Sequence, residues 1–241
     1  MQLIVRAGHI AAVLVFFLFV LLWVREARKV KKVKPGAGTM FNAAGFGFMP
    51  AMAVWKIFEP YYGLEVMSGG KTLYDPLGPV PHLTWGDHFA PERIELVALM
   101  ISFAVIIIWL IARKDPLPGN GDLFLTVICV WSAIRISTET LRNEPLRIRG
   151  ITVFIVTSIL SELVVMAIWT VRRGRKQKNA VLTALEWLAI LACCGISVLQ
   201  DLEVLTMGSP IANLAVTVGC SMVTAALILS AGKDSREALR D

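Results

Sequence analysis

Arg135, Glu139 and Arg142 stand at i, i+4 and i+7 inside the apolar stretch GDLFLTVICVWSAIRISTETLRNEP. On a helix that spacing puts all three charges on one face. Taking an arginine to the centre of a bilayer costs about 3 kcal/mol on insertion scales. Chains keep such a residue where it meets a wet cavity, an opposite charge or a polar lipid headgroup. A guanidinium stays protonated, and its planar fork fits the oxygens of a phosphate. Glu139, one turn from Arg135, can aim that fork and balance its charge. Glu162 lies in the middle of another apolar segment, at a depth within a few ångströms of Arg135 by the ~1.5 Å rise per residue of a helix. It is a candidate partner for Arg135, whereas Glu186, near the inner face, and Glu95, near the outer face, can simply reach headgroups or water. The stripe therefore has two readings: a headgroup site, or an internal salt bridge that fixes helix packing.

The elements that would position these residues are membrane helices. The chain has 241 residues, 56% of them hydrophobic, with a mean hydropathy of +0.67. Apolar segments near the ~20 residues a membrane helix needs fall at about 8–24, 40–58, 94–112, 121–141, 150–171, 180–199 and 209–231. The expected fold is all-α: one polytopic membrane domain over 1–241 with about seven spans. The segment IELVALMISFAVIIIWLI is the clearest, and the second is the weakest. Gly45, Gly47 and Pro50 predict that the second is kinked, re-entrant or partly irregular. The first segment runs directly into REARKVKKVK without a small-residue cleavage site, the pattern of a retained anchor.

Short-loop bases predict orientation. Arg25 to Lys34, Arg113–Lys114 and Arg172 to Lys178 fall on one side, the cytoplasm. The N-terminus is then outside and the C-terminus inside. A loop or arm at about 59–93 lies outside, with Glu59, Glu65, Asp75, Asp87 and Glu92 against few bases. Asp201 and Glu203 share that side. Arg142, Arg147 and Arg149 break the pattern. Either a strong remaining bias tolerates them, or they meet lipid phosphates at the outer leaflet.

The net charge of +6 and pI near 9.3 belong to these topological loops and need no nucleic acid, since no basic stretch interleaves with aromatics on a soluble domain. Cys129, Cys193, Cys194 and Cys220 all lie inside apolar segments and read as small contact residues, with no structural disulfide expected. The sequence holds no zinc-ligand spacing, P-loop or dinucleotide fingerprint, so no cofactor and no metal are expected. His82 and His88 lie in the outer segment with Tyr61, Tyr62, Tyr74 and Trp85. Each histidine reads as a surface residue or as a general base near an embedded arginine.

From about 89 to 165 the chain resembles the C-terminal part of bacterial prolipoprotein diacylglyceryl transferase. The family opens a membrane helix with His-Pro-(Thr/Ser)-Gln-Leu-Tyr-Glu, and here the stretch is Phe89-Ala90-Pro91-Glu92-Arg93-Ile94-Glu95. A basic Pro/Gly loop, ARKDPLPGNGD, follows. The family's Gly-x-Leu-Phe helix, ending in Arg-Phe-x-x-Glu-x-x-Arg, is matched by Gly121-Asp122-Leu123-Phe124 and by Arg135 through Glu139 to Arg142. Asn143-Glu144-Pro145 also fits, and ILSELVVMAI around Ser161 resembles the final family helix. Pro91 and Glu95 match the opening motif, whereas Phe89, Arg93 and Ile94 replace its His, Gln and Tyr. The upstream His-Gly-Gly is not recognisable, and the Gly-Asn-Phe-x-Asn-x-Glu signature is only echoed in the run from Phe41 to Gly47. The helices at 180–231 extend past the family's usual end.

The resemblance implies an enzyme of the bacterial cytoplasmic membrane. It would move a diacylglyceryl group from phosphatidylglycerol to a lipoprotein cysteine at the outer leaflet, releasing glycerol phosphate. On that reading Arg135, Arg142 and Arg147 hold lipid phosphate and Glu139 orients them. Arg135 also stabilises the departing charge, and His82, His88 or Glu95 supplies the base for the thiol. A non-catalytic subunit that binds lipid, a lipoprotein precursor or other membrane subunits is the second reading. A transporter with Arg135 and Glu162 in its path is the third, without an internal repeat to support it.

Overall fold

A computed structural model describes residues 2–31, 36–67, 84–85, 88–89, 91–112, 121–139, 147–148, 151–174, 180–205 and 210–238. Among these the chain is all-helical apart from two minimal ladders. The helices are α1 (Gln2–Lys31), α2 (Ala37–Met67), α3 (Pro91–Ala112), α4 (Asp122–Glu139), α5 (Val153–Gly174), α6 (Ala180–Asp201) and α7 (Pro210–Ala238). Each apolar segment of the sequence thus becomes one helix. Five of them contain stretches long and apolar enough to cross a membrane: Arg6–Lys29, Arg93–Ala112, Val153–Gly174, Ala180–Asp201 and Ala212–Lys233. α2 carries Gly45, Gly47 and Lys56 within its apolar run, and α4 carries Asp122, Arg135 and Glu139 within 18 residues.

The ladders are two antiparallel pairs of two residues each. β1 (Thr84–Trp85) pairs with β2 (His88–Phe89), and β3 (Arg147–Ile148) pairs with β4 (Ile151–Thr152). The chain divides into two compact units, Met1–Val127 and Ile128–Asp241.

In the first unit α2 packs along α1 and against α3. An aromatic cluster from all three helices fills its core: Phe46 lies 5.1 Å from Trp23, 5.6 Å from Phe19 and 5.5 Å from Phe103 between ring centroids. Outward, α3 presents Met100, Ile101, Val105, Ile108 and Ile111, an exposed apolar stripe suited to lipid. Of the alternatives drawn from its glycines and proline, α2 excludes the irregular one. It is helical without interruption from Ala37 to Met67, although Pro50 removes one backbone donor.

The glycines serve packing instead. A Cβ on Gly47 would stand 2.7 Å from the Phe16 carbonyl oxygen, and one on Gly45 would stand 2.7 Å from the Phe124 Cα. Small residues let membrane helices approach this closely. Asn42 uses the same approach. Its side-chain oxygen accepts from the Leu123 and Phe124 amides at 2.9 and 3.4 Å, capping the start of α4 from another helix. Gly45→Val is expected to destabilise the first unit by about 1–3 kcal/mol, because the colliding atoms are backbone. Thermal unfolding of the detergent-solubilised variant checks this; an unchanged midpoint would mean that α2 and the start of α4 are not in contact. α2 also takes residues 59–67 out of the loop expected at 59–93. Of that loop, 68–83, 86–87 and 90 lie outside the described residues.

In the second unit α7 packs against both α5 and α6. Polar contacts pin α5 to α6 near both ends. The Asp201 carboxylate accepts from the Thr152 amide at 2.8 Å and its hydroxyl at 2.6 Å. At the other end Arg173 donates to both Glu186 carboxylate oxygens and, at 2.8 Å, to the Thr183 hydroxyl. Trp187 adds an indole bond to the Thr170 hydroxyl at 3.1 Å. α6 is joined to α7 by Thr217, which donates to the Gln200 side-chain oxygen at 2.7 Å. α5 and α7 meet where a Cβ on Gly232 would stand 2.8 Å from the Trp169 ring.

Candidate functional site

α4 is an 18-residue helix whose last turn brings Arg135 and Glu139 together. Both are buried. Arg135 Nη2 lies 3.4 Å from Glu139 Oε2, the contact that the i, i+4 spacing predicts. The guanidinium carbon sits 4.3 Å from the centroid of the Phe154 ring, in the first turn of α5. A cation over an aromatic face in a desolvated setting gains roughly 2 kcal/mol. Phe154 is a site residue that the charge pattern alone does not reveal. Its signal is its position, opening the helix that follows the stripe. The arrangement sets the guanidinium beside Glu139 and over the Phe154 ring. A fork held this way is suited to bidentate recognition of phosphate.

The other members of the expected site are placed less completely. Arg142 and His82 lie outside the described residues. Arg147 is in β3, its backbone opposite Thr152, and His88 is in β2, opposite Trp85. Their side chains are outside what the structure describes. Ser161 donates to the Thr157 carbonyl at 2.8 Å on the exposed side of α5.

Three acidic residues behave differently from the expectation. Glu162 forms no ion pair with Arg135: it is 0% exposed, and neither carboxylate oxygen has a hydrogen-bond partner. Equal depth in two helices does not place two side chains on facing sides, which explains the difference. Glu95 is not an open base. Its carboxylate is 2.7 Å from Lys56 Nζ, with the two side chains 0% and 1% exposed. Glu186, expected to reach headgroups or water, is instead bonded to the buried Arg173. Lys56 went unread in the sequence because one lysine barely alters the hydropathy of a 31-residue helix. Its only sequence signal is a charge in mid-helix, which in a membrane segment calls for a partner. All four cysteines are free. Among the described residues no three His, Cys, Asp or Glu side chains gather in a way that could hold a metal ion.

Long apolar helices, lipid-compatible exterior faces and charges paired inside the bundle define the class: a multi-pass α-helical membrane protein. No family model, curated protein or solved structure matches the chain.

Proposed function

We propose that the protein binds the phosphate of an anionic glycerophospholipid, phosphatidylglycerol in a bacterial cytoplasmic membrane, through Arg135. The single observation behind this reading is the held guanidinium: one carboxylate contact at 3.4 Å, one aromatic face at 4.3 Å, and a planar fork between them. In this reading all seven helices span the membrane, with the N-terminus outside and the C-terminus in the cytoplasm. The end of α4 then lies toward the outer leaflet, where Arg142 and Arg147 add charge at headgroup depth.

Diacylglyceryl transfer to a lipoprotein cysteine is the second reading, favoured by the Arg-x-x-x-Glu-x-x-Arg pattern. Group transfer asks for a base as well as a phosphate site. Glu95, one of the candidates, is engaged by Lys56, which supports the binding reading over the catalytic one and leaves His82 and His88 as the groups to test. A role as a lipid- or lipoprotein-binding subunit of a larger membrane assembly is the form that binding without turnover takes.

The test is purified protein in phosphatidylglycerol liposomes with a peptide carrying a lipoprotein-type cysteine. Lipid retained by wild type but lost in Arg135→Ala, without product, is the expected result. Diacylglyceryl-peptide with released glycerol phosphate, both absent in Arg135→Ala, would establish the transferase. Equal lipid retention by wild type and variant would overturn both readings.

A further inference from the structure

In membrane helices a serine or threonine hydroxyl commonly donates to the carbonyl one turn back. Ser137, Thr138, Thr157, Ser161, Ser197 and Thr217 all do so here. Ser132 and Ser158 do not. Both are buried, and neither hydroxyl has a hydrogen-bond partner. Ser158 stands one turn before Glu162 on the buried face of α5. Glu162 lies within electrostatic reach of Cys129 on α4 and Cys194 on α6. Ser132 is three residues from Cys129, on the same side of α4. Two unsatisfied hydroxyls thus stand on α4 and α5, the helices on which Cys129 and Glu162 come within reach of each other in the second unit.

Buried polar atoms are partnered as a rule, and each exception asks for an explanation. An uncompensated carboxylate is the most unfavourable exception, because its desolvation in a bundle interior amounts to several kcal/mol. Among the described residues no basic side chain compensates Glu162: it forms no ion pair, while Arg135 contacts Glu139 and Arg173 contacts Glu186. We propose that Glu162, Ser158 and Ser132 form an internal binding site for a single alkali-metal cation. The donor chemistry selects the ligand class. Carboxylate and hydroxyl oxygens are hard ligands, suited to Na⁺ or K⁺ rather than to zinc or copper. One carboxylate balances one positive charge; a divalent ion would leave a net charge in the interior. The proposal does not rest on lipid binding at Arg135.

Equilibrium binding of radioactive Na⁺ to the purified full chain in detergent tests the proposal, with K⁺, Li⁺ and choline as competitors. Saturable binding displaced by an alkali cation but not by choline is expected, with loss of binding in Glu162→Gln. Ser158→Ala and Ser132→Ala should each weaken it roughly three- to tenfold, the effect of losing one oxygen contact. These small changes keep the test sound if Glu162→Gln fails to fold. Absence of saturable binding to wild type would overturn the proposal, as would binding unchanged in both serine variants. Carbodiimide labelling of Glu162 that Na⁺ and K⁺ leave unprotected would assign the site to a proton alone and overturn it too.

Discussion

Lys56→Met is expected to destabilise the first unit by about 3–5 kcal/mol, one of the two largest effects available in this chain. The reason is the group left behind. Glu95 is buried on α3 against Lys56 of α2, and without the ammonium its charge loses a contact of 2.7 Å in a low-dielectric interior. Glu95→Leu should fall in the same range, for the mirror reason. The double variant Lys56→Met/Glu95→Leu removes both charges, and it should recover most of the loss. Buried pairs replaced by well-packed apolar residues are often neutral or stabilising. Thermal unfolding of the four proteins in one detergent, treated as a double-mutant cycle, reads out the coupling. Additive losses would mean that the two side chains do not depend on each other. The same set bears on function: if Arg135 itself holds the phosphate, Lys56→Met/Glu95→Leu, which keeps Arg135, should retain phosphatidylglycerol as wild type does.

Arg135→Lys is expected to weaken phosphatidylglycerol retention tenfold or more while preserving charge. A lysine keeps a point charge but loses the planar fork and the stack on Phe154. About 1.4 kcal/mol separates each tenfold step in affinity, and one charge-assisted hydrogen bond supplies that much. Glu139→Gln should also weaken retention, by a smaller factor, because it removes the carboxylate that aims the guanidinium while the cation stays in place. A pair serving packing alone makes a different forecast: both variants lose stability and neither changes lipid selectivity. Native mass spectrometry, comparing phosphatidylglycerol with zwitterionic phosphatidylcholine, separates the two outcomes.

Much of the fold was legible because membrane helices are written locally. Each of the seven apolar segments became a helix, with boundaries extended where charged or aromatic flanks continue the backbone pattern, as at Glu59 to Met67 and at Arg172 and Arg173. The Arg135–Glu139 contact was legible for the same reason: both residues belong to one helix, where spacing dictates adjacency. Contacts between helices were not. Lys56 and Glu95 are far apart in sequence, as are Asn42 and the start of α4. Only the rotation of each helix decides that they meet. Arg173 and Glu186 stand on consecutive helices, and their pairing depends on how α6 lies along α5. Glu162 shows the limit most clearly. Its depth could be counted, but not the face it occupies or the absence of a partner there. The unbroken helix through Pro50 has a related cause. Close packing of α1 on α2, through Gly47, compensates one missing backbone bond, and no local rule registers that.

Arg173 carries a consequence for biogenesis. In the proposed orientation it is one of the cytoplasmic bases that instruct the insertion machinery which way to thread α5, a reading in which acidic neighbours count for little. Once the α5–α6 hairpin has closed, the same side chain is buried on Glu186 and Thr183. It then offers no charge to the anionic headgroups below. The residue therefore acts twice, first as an address read from the nascent chain and later as a clasp in the finished bundle. Neutralising it should raise the fraction of inverted chains during synthesis and, independently, loosen the hairpin in those inserted correctly.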